Sequence, residues 1–244
     1  MTSEKPPLDW RYRVVTTLAK DFKSPWTGIL HKRGAPVSLS TSVRHGKRTI
    51  GIGDPSAPAL FLSQSYKAYE QSQKNHPFII EDPNALGDEL SAFVYEYLEQ
   101  IMASIIFAYT AIEAFANEEI PEDYVYESEK RSSEILIAYQ KDSIERLVSL
   151  DEKLGSILPK TKNLATPKGL KIWSDYVELK RLRDRIVHLK SRDRAHSKAN
   201  DLFPDSIWSQ LLHPKQSHYP LVAKNMMLHF VKKESIHWLK YCPF

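Results

Sequence analysis

Arg183 and His188 are the residues of this chain whose types and spacing best suit chemistry at a phosphate. Histidine as a residue type can take up and return a proton near neutral pH. Arginine keeps its charge, and its planar guanidinium can bind two phosphate oxygens at once. A histidine and an arginine can together supply the proton transfers and the charge stabilisation that cleavage of a phosphodiester requires.

The sequence around this pair is strongly basic. Residues 180–198 contain eight Lys or Arg and two Asp, a formal charge of +6, whereas the whole chain has +4. The remainder is therefore about −2 (4 − 6), and the positive potential is concentrated in a segment that could hold an anion such as an RNA backbone. The alternative is a solvated, basic helix end, where Lys and Arg are also common.

A helix is predicted from about Pro167, a favourable first-turn residue, through Trp173 towards Leu189. Arg183 falls on the apolar stripe of this helix. The stripe consists of positions spaced four, three, four and three residues apart, namely Ile172, Tyr176, Leu179, Arg183 and Ile186. An arginine on such a stripe must be paired or must line a polar cleft. An ion pair with Glu113, which lies in another apolar helix, is the structural alternative, and both can hold at once.

The five-residue spacing of Arg183 and His188 also has a geometric consequence. On a continuous helix the two side chains would point about 140° apart. Either the helix ends or distorts near His188, or two copies of the chain place both residues in one cleft.

The first 85 residues differ from the rest in composition. Eight of the fifteen prolines and five of the eight glycines lie there, between short apolar or alternating runs at 13–18, 37–40 and 59–62. This pattern predicts strands and loops.

From Asp88 onwards the pattern is helical. Apolar residues recur at helical spacing over about seven turns before Pro121, which predicts one long helix. Further helices are predicted over 127–157 and 221–241, and a long polar segment over 191–219 contains one short helix around 207–212. We therefore expect a mainly α protein with a smaller, loop- and strand-containing region at 1–85 and an up-and-down four-helix bundle at 86–244.

The sequence Arg183-Asp-Arg-Ile-Val-His188 resembles the signature of the HEPN superfamily, which is an arginine, a polar residue, three further residues and a histidine. Residues 111–117, Ala-Ile-Glu-Ala-Phe-Ala-Asn, resemble the first core helix of such domains. The resemblance covers about residues 88–244, and Asp184 stands where the family commonly has Asn. HEPN domains are small four-helix domains, and many are metal-independent endoribonucleases.

The resemblance implies that Arg183 and His188 cleave RNA through attack of the 2′-hydroxyl, without a metal or other cofactor. Asp184 and Glu113 would orient this pair. Candidates for contacts with the RNA backbone are Arg185 and Lys190. HEPN-like nucleases place both copies of the motif in one cleft, so we expect a homodimer. Because uncontrolled RNA cleavage would harm the cell, a regulatory protein or antitoxin is implied, as in toxin–antitoxin or antiviral defence systems.

Two other functions are compatible with the same residues. The chain could be a non-catalytic HEPN-like module that binds a nucleotide or a protein and uses Arg183 as an anion anchor. It could also be a purely structural helical dimer with a buried Arg183–Glu113 pair, in which loss of Arg183 would cost about 3–5 kcal/mol.

The single cysteine, Cys242, excludes an intramolecular disulfide and a cysteine-based zinc finger, and it is typical of a reducing compartment. The first residues lack the basic and apolar regions of a signal peptide. The most apolar stretch, 101–112, is shorter than the roughly twenty residues of a membrane span, so we expect a buried helix. These features predict a cytoplasmic protein with no membrane partner.

Overall fold

The computed structural model describes residues 9–25, 28–81, 88–128, 137–194, 206–233 and 237–244. The protein is mainly helical, with a small region of strands near its start, as the sequence predicts. The chain divides into two compact units. The first unit is Met1–Leu60 with Val231–Phe244, and the second is Phe61–Phe230. The predicted boundary near residue 85 differs from this division.

The first unit contains short antiparallel strands. They are β1 (Thr16–Thr17), β2 (Phe22–Lys23), β3 (Leu30–His31), β4 (Pro36–Val37), β5 (Ser40–His45) and β6 (Arg48–Gly53). β1 pairs with β4, β2 with β3, and β5 with β6. In the longest hairpin His45 lies opposite Arg48, and Gly46 has φ 60° in the turn between them. Glycine adopts this conformation without strain, which allows a two-residue turn.

Residues 57–81 form helix α1 (Ala57–Glu81), where the sequence predicts strands and loops. Pro58 does not interrupt the helix, because it lies in the first turn, where its missing N–H has no intrahelical acceptor. The apolar run at 59–62 is the beginning of this helix, and both Ala59 and Leu62 are fully buried. The prediction for this run is therefore wrong.

The long helix predicted after Asp88 is confirmed as α2 (Asp88–Glu119). Its apolar stripe is fully buried and includes Ile101, Ile105, Ala108, Ile112 and Phe115. Ser65 of α1 donates a hydrogen bond from Oγ to the carbonyl oxygen of Ser104, at 2.8 Å. Among the described residues, α2 is long and apolar enough to span a membrane by length and composition alone. Half of its apolar stretch is buried inside the protein, as in many core helices.

The continuous helix predicted over 127–157 is wrong. A hairpin of β7 (Tyr126–Ser128) and β8 (Ile137–Tyr139) comes first, and residues 129–136 lie outside the described part. Four short segments follow, namely α3 (Lys141–Leu147), α4 (Leu150–Glu152), a π-helical turn (Lys153–Ile157) and α5 (Leu158–Lys162). Tyr126 and Tyr139 stack across the hairpin, with 6.3 Å between ring centroids. Ser149 has an extended backbone and caps α4 through its Oγ, which breaks the helical run.

The last helices are α6 (Lys171–Val187), α7 (Ser191–Arg194), α8 (Ile207–Leu211) and α9 (Tyr219–His229). α8 confirms the short helix predicted near 207–212. α9 ends before Phe230, well short of the predicted 221–241, and a 3-10 turn at Trp238–Tyr241 follows. In the sequence Trp238 continues the apolar pattern of α9. In the structure it belongs to the first unit, where its ring stacks on that of Trp10. Residues 234–236 lie outside the described part.

Candidate functional site

Helix α6 positions the predicted motif. It packs against α2 and α9, and Tyr176, Leu179 and Ile186 of its predicted stripe are buried. The helix begins at Lys171 rather than at Pro167, because Gly169 has φ 86° in the preceding turn.

Arg183 lies on the side of α6 that faces α2, and its side chain remains partly exposed. Its Cζ lies 4.8 Å from the ring centroid of Tyr109, which is a cation–π contact. Its Nη1 donates a hydrogen bond to Oδ1 of Asp184, at 3.0 Å. The pKa of Tyr109 is raised to about 12, mainly by burial; the charge of Glu113 contributes to this increase, whereas that of Arg183 opposes it. The arginine is therefore held by an aromatic face and a carboxylate.

Glu113 acts on this region through its charge. The acidic partner of Arg183 is Asp184, and no ion pair between Arg183 and Glu113 occurs within the residues that the structure describes. The charge of Glu113 also raises the pKa of the buried Lys153, although burial lowers that pKa more strongly. The Arg183–Glu113 pair expected in the structural alternative is therefore not formed.

His188 lies at the point where α6 ends. The last helical residue is Val187, and His188 has the non-helical angles φ −122° and ψ 69°. Its backbone N–H donates to the carbonyl oxygen of Asp184, at 2.9 Å, and its side chain is exposed. The five-residue spacing left two possibilities, and the structure shows the first of them, in which the helix ends at His188.

A cleft of about 490 Å³ opens beside this histidine. It is lined by Arg181, Asp184, Arg185, His188 and Lys190, and we call it the histidine cleft. Four of these residues are predicted site residues, whereas Arg183 does not line the cleft. Sequence analysis missed Arg181. The sequence does contain a signal for Arg181. Positions 181, 184 or 185, and 188 recur every three to four residues, which places them on one face of a helix.

Arg185 is buried rather than presented to solvent. Its Nη2 pairs with Oδ1 of Asp193 at 2.6 Å, and the Asp193 side chain has no exposed surface. Asp193 also accepts the backbone N–H groups of Lys190 and Ile207. Burial opposes ionisation of this carboxyl, but its hydrogen bonds with Ile207, Arg185 and Lys190 outweigh that effect and lower its pKa. Arg185 therefore fixes the segment after α6, and its burial does not support the predicted contact with an RNA backbone.

Two other cations line the histidine cleft. Lys190 is exposed. Arg181 forms two hydrogen bonds with Glu178, at 2.8 and 2.6 Å, and both side chains remain close to half exposed. The side chains of Arg192 and Arg194, and residues 195–198, which complete the basic segment, lie outside the described part.

Within the described residues no group of three or more His, Cys, Asp or Glu side chains is arranged to hold a metal ion. Comparison with protein-family models, curated proteins and solved structures finds no match for this chain.

Proposed function

We propose that this chain is a HEPN-like endoribonuclease that cleaves RNA without a metal, with His188 and Arg183 as its catalytic residues. One observation carries this proposal. His188 is exposed at the end of α6, in a cleft whose wall includes the cations Arg181 and Lys190. An accessible imidazole beside cations can combine proton transfer with binding of a phosphate.

The proposed reaction is a displacement at phosphorus. The imidazole of His188 takes the proton of the RNA 2′-hydroxyl, and the 2′-oxygen forms a bond to phosphorus as the bond to the 5′-oxygen breaks. The products are a 2′,3′-cyclic phosphate and a 5′-hydroxyl. The imidazole that takes this proton lies beside the attacking 2′-oxygen, whereas the leaving 5′-oxygen lies on the opposite side of phosphorus and needs a second proton donor. In a homodimer the same histidine of the partner subunit, in its protonated form, is this donor.

Arg183 is proposed to bind the phosphoryl oxygens. Asp184 links it to the histidine cleft, because its carboxylate pairs with Arg183 and because Asp184 is one of the residues that line that cleft. A phosphate that enters would compete with Asp184 for the guanidinium. The packing of α2, α6 and α9 on one another is compatible with three helices of the HEPN-like four-helix bundle that we propose for this unit.

The second candidate is a non-catalytic module that binds a nucleotide or a protein. The observation that favours it is the position of Arg183, which does not line the histidine cleft and already pairs with Asp184. In such a module Arg183 is an anion anchor, and replacement of His188 changes little.

The first experiment is RNA cleavage in EDTA by the purified full chain. We expect the wild type to cleave labelled single-stranded or structured RNA, and His188→Ala to lose this activity while it keeps the melting temperature of the wild type. His45→Ala is the matched control, because His45 is exposed on the β5–β6 hairpin. Equal cleavage by wild type and His188→Ala would contradict the proposal. A folded wild type that cleaves no RNA would favour the binding module.

The proposed activity also implies control. A nuclease of this kind would act under a regulatory protein or antitoxin, in toxin–antitoxin or antiviral defence, and in the cytoplasm. These partners and this location follow from the proposed function.

A further inference from the structure

A second cleft adjoins the histidine cleft, and Arg181 lines both. It lies between α6, α8 and the segment that leads into α9, and its volume is about 260 Å³. Its polar lining includes Glu178, Arg181, Gln210, His213, Lys215 and Gln216, and we call it the amide cleft. Drug-sized ligands occupy pockets of about 300–1,000 Å³, so the amide cleft suits a smaller unit such as one nucleoside.

The wall of the amide cleft is held in place by Gln216. Its Nε2 donates to the carbonyl oxygens of Gln210, Leu211 and His213, at 2.8 to 2.9 Å. Its Oε1 accepts the hydroxyl of the buried Tyr219, at 2.6 Å. These bonds fix the segment between α8 and α9, so the cleft is largely preformed and a ligand need not order it.

Gln210 offers the amide cleft an acceptor that the protein does not use. Its Oε1 is enclosed and accepts no hydrogen bond in the described part of the chain. An enclosed acceptor without a donor is unfavourable, so the amide gains from a rotation that brings its oxygen to a ligand N–H in the cleft. The terminal torsion of glutamine is soft, and a small rotation can turn this oxygen towards the cleft.

His213 and Lys215 supply two further contacts. His213 is exposed, and its Nδ1 accepts the backbone N–H of Lys215 at 3.1 Å, which fixes the ring. An exposed, fixed imidazole can stack on the face of a nucleobase. Lys215 is exposed on the same cleft, where its ammonium can meet a phosphate.

We propose that the amide cleft binds one adenine nucleotide of the RNA, next to the phosphate held in the histidine cleft. This assignment rests on the proposed ribonuclease function. A glutamine amide pairs with adenine through two hydrogen bonds, since its oxygen accepts from N6 and its nitrogen donates to N7. Purine riboside keeps N7 but carries hydrogen in place of the 6-amino group, so it can make only the second of these bonds. Because Arg181 borders both clefts, consecutive nucleotides of one strand can occupy them together.

The test is calorimetric binding of 5′-AMP and purine riboside 5′-monophosphate to the full chain. We expect 5′-AMP to bind about tenfold more tightly than purine riboside 5′-monophosphate, and Gln210→Leu to remove this preference. Gln64→Leu is the matched control, because Gln64 is exposed on α1. A second variant, Lys215→Ala, should weaken binding of 5′-AMP relative to Lys67→Ala, which removes the same charge from α1. Equal affinities for the two nucleotides, or an unchanged preference in Gln210→Leu, would overturn the assignment.

The two proposals fail in different ways. His188→Ala should bind 5′-AMP like the wild type, because His188 does not line the amide cleft. Gln210-dependent binding of 5′-AMP by a chain that cleaves no RNA would contradict the nuclease and support the nucleotide site. RNA cleavage with no preference for 5′-AMP would support the nuclease and contradict the amide cleft as an adenine site.

Discussion

Asp184 pairs with Arg183 on α6, with 3.0 Å between Oδ1 of the carboxylate and Nη1 of the guanidinium. Asp184 also lines the cleft in which His188 lies, so one acidic residue joins the two residues of the motif. It also places a negative charge where an RNA phosphate would bind.

We expect Asp184→Asn to bind RNA more tightly, by about fivefold at low salt. The change removes a charge that repels phosphate and competes for Arg183, although screening limits the effect at a half-exposed site. Fluorescence anisotropy with a labelled RNA in a His188→Ala background measures binding without cleavage. Asp142→Asn, at an exposed position of α3, controls for net charge. Weaker binding by Asp184→Asn would show that its carboxylate positions Arg183 instead.

Arg183→Met should cost only about 1 kcal/mol of the free energy of unfolding. The Arg183 side chain is 31% exposed and that of Asp184 is 46% exposed, so solvent screens the pair and neither charge is left buried. Loss of the contact with Tyr109 adds about 0.5–1 kcal/mol at most. Urea unfolding measures this cost. A loss of 3 kcal/mol or more would support the structural dimer, in which Arg183 belongs to a buried ion pair.

Arg185→Met, two residues further along α6, should cost about 3–5 kcal/mol. It removes the partner of Asp193 and leaves that carboxylate uncompensated in the interior. The same substitution at Arg183 is its matched control in the same urea series. Similar small losses for both variants would contradict the burial that we describe for the Arg185–Asp193 pair.

The protein should lose stability above about pH 10. Burial raises the pKa of Tyr109 to about 12 and also raises the pKa values of Tyr97, Tyr176 and Tyr219. The folded state thus keeps tyrosine protons that the unfolded chain loses at about pH 10, so stability is complete below that pH and falls as pH rises towards 12.

Lys153 has the opposite effect, because burial lowers its pKa: the folded state releases this proton at a lower pH than the unfolded chain, so its contribution to stability rises with pH up to about pH 10.4. It is one group against four tyrosines, so the net change should still be a loss. Urea unfolding at neutral pH and above about pH 10 measures it. An unchanged free energy of unfolding would show that the tyrosines are not buried as we describe.

The sequence predicts the fold where burial follows one periodic pattern. α2 is evident because its apolar stripe alone determines which face is buried. The structure of the segment 127–157 is not evident from its sequence, for two reasons. β7 and β8 pair with each other although they are well separated in the sequence, and Ser149 interrupts the helical run that follows. α1 is missed because Pro58 reads as an interruption, although a proline in the first turn of a helix is favourable.

The candidate site is predicted in part for a similar reason. The motif spacing correctly indicates that the helix could end near His188. It does not indicate which carboxylate pairs with Arg183, because both the neighbouring Asp184 and the more distant Glu113 could do so from the sequence alone. The burial of Arg185 depends on Asp193, which lies beyond the end of α6, and no helical periodicity relates the two.

The chemistry of the RNA ends tests the central claim most directly. We predict that wild-type protein in EDTA leaves 2′,3′-cyclic phosphate and 5′-hydroxyl ends, identified by mass spectrometry of the fragments, and that His188→Ala leaves none while His45→Ala behaves like the wild type. Fragments with 5′-phosphate ends, or cyclic-phosphate ends that persist in His188→Ala, would contradict the account.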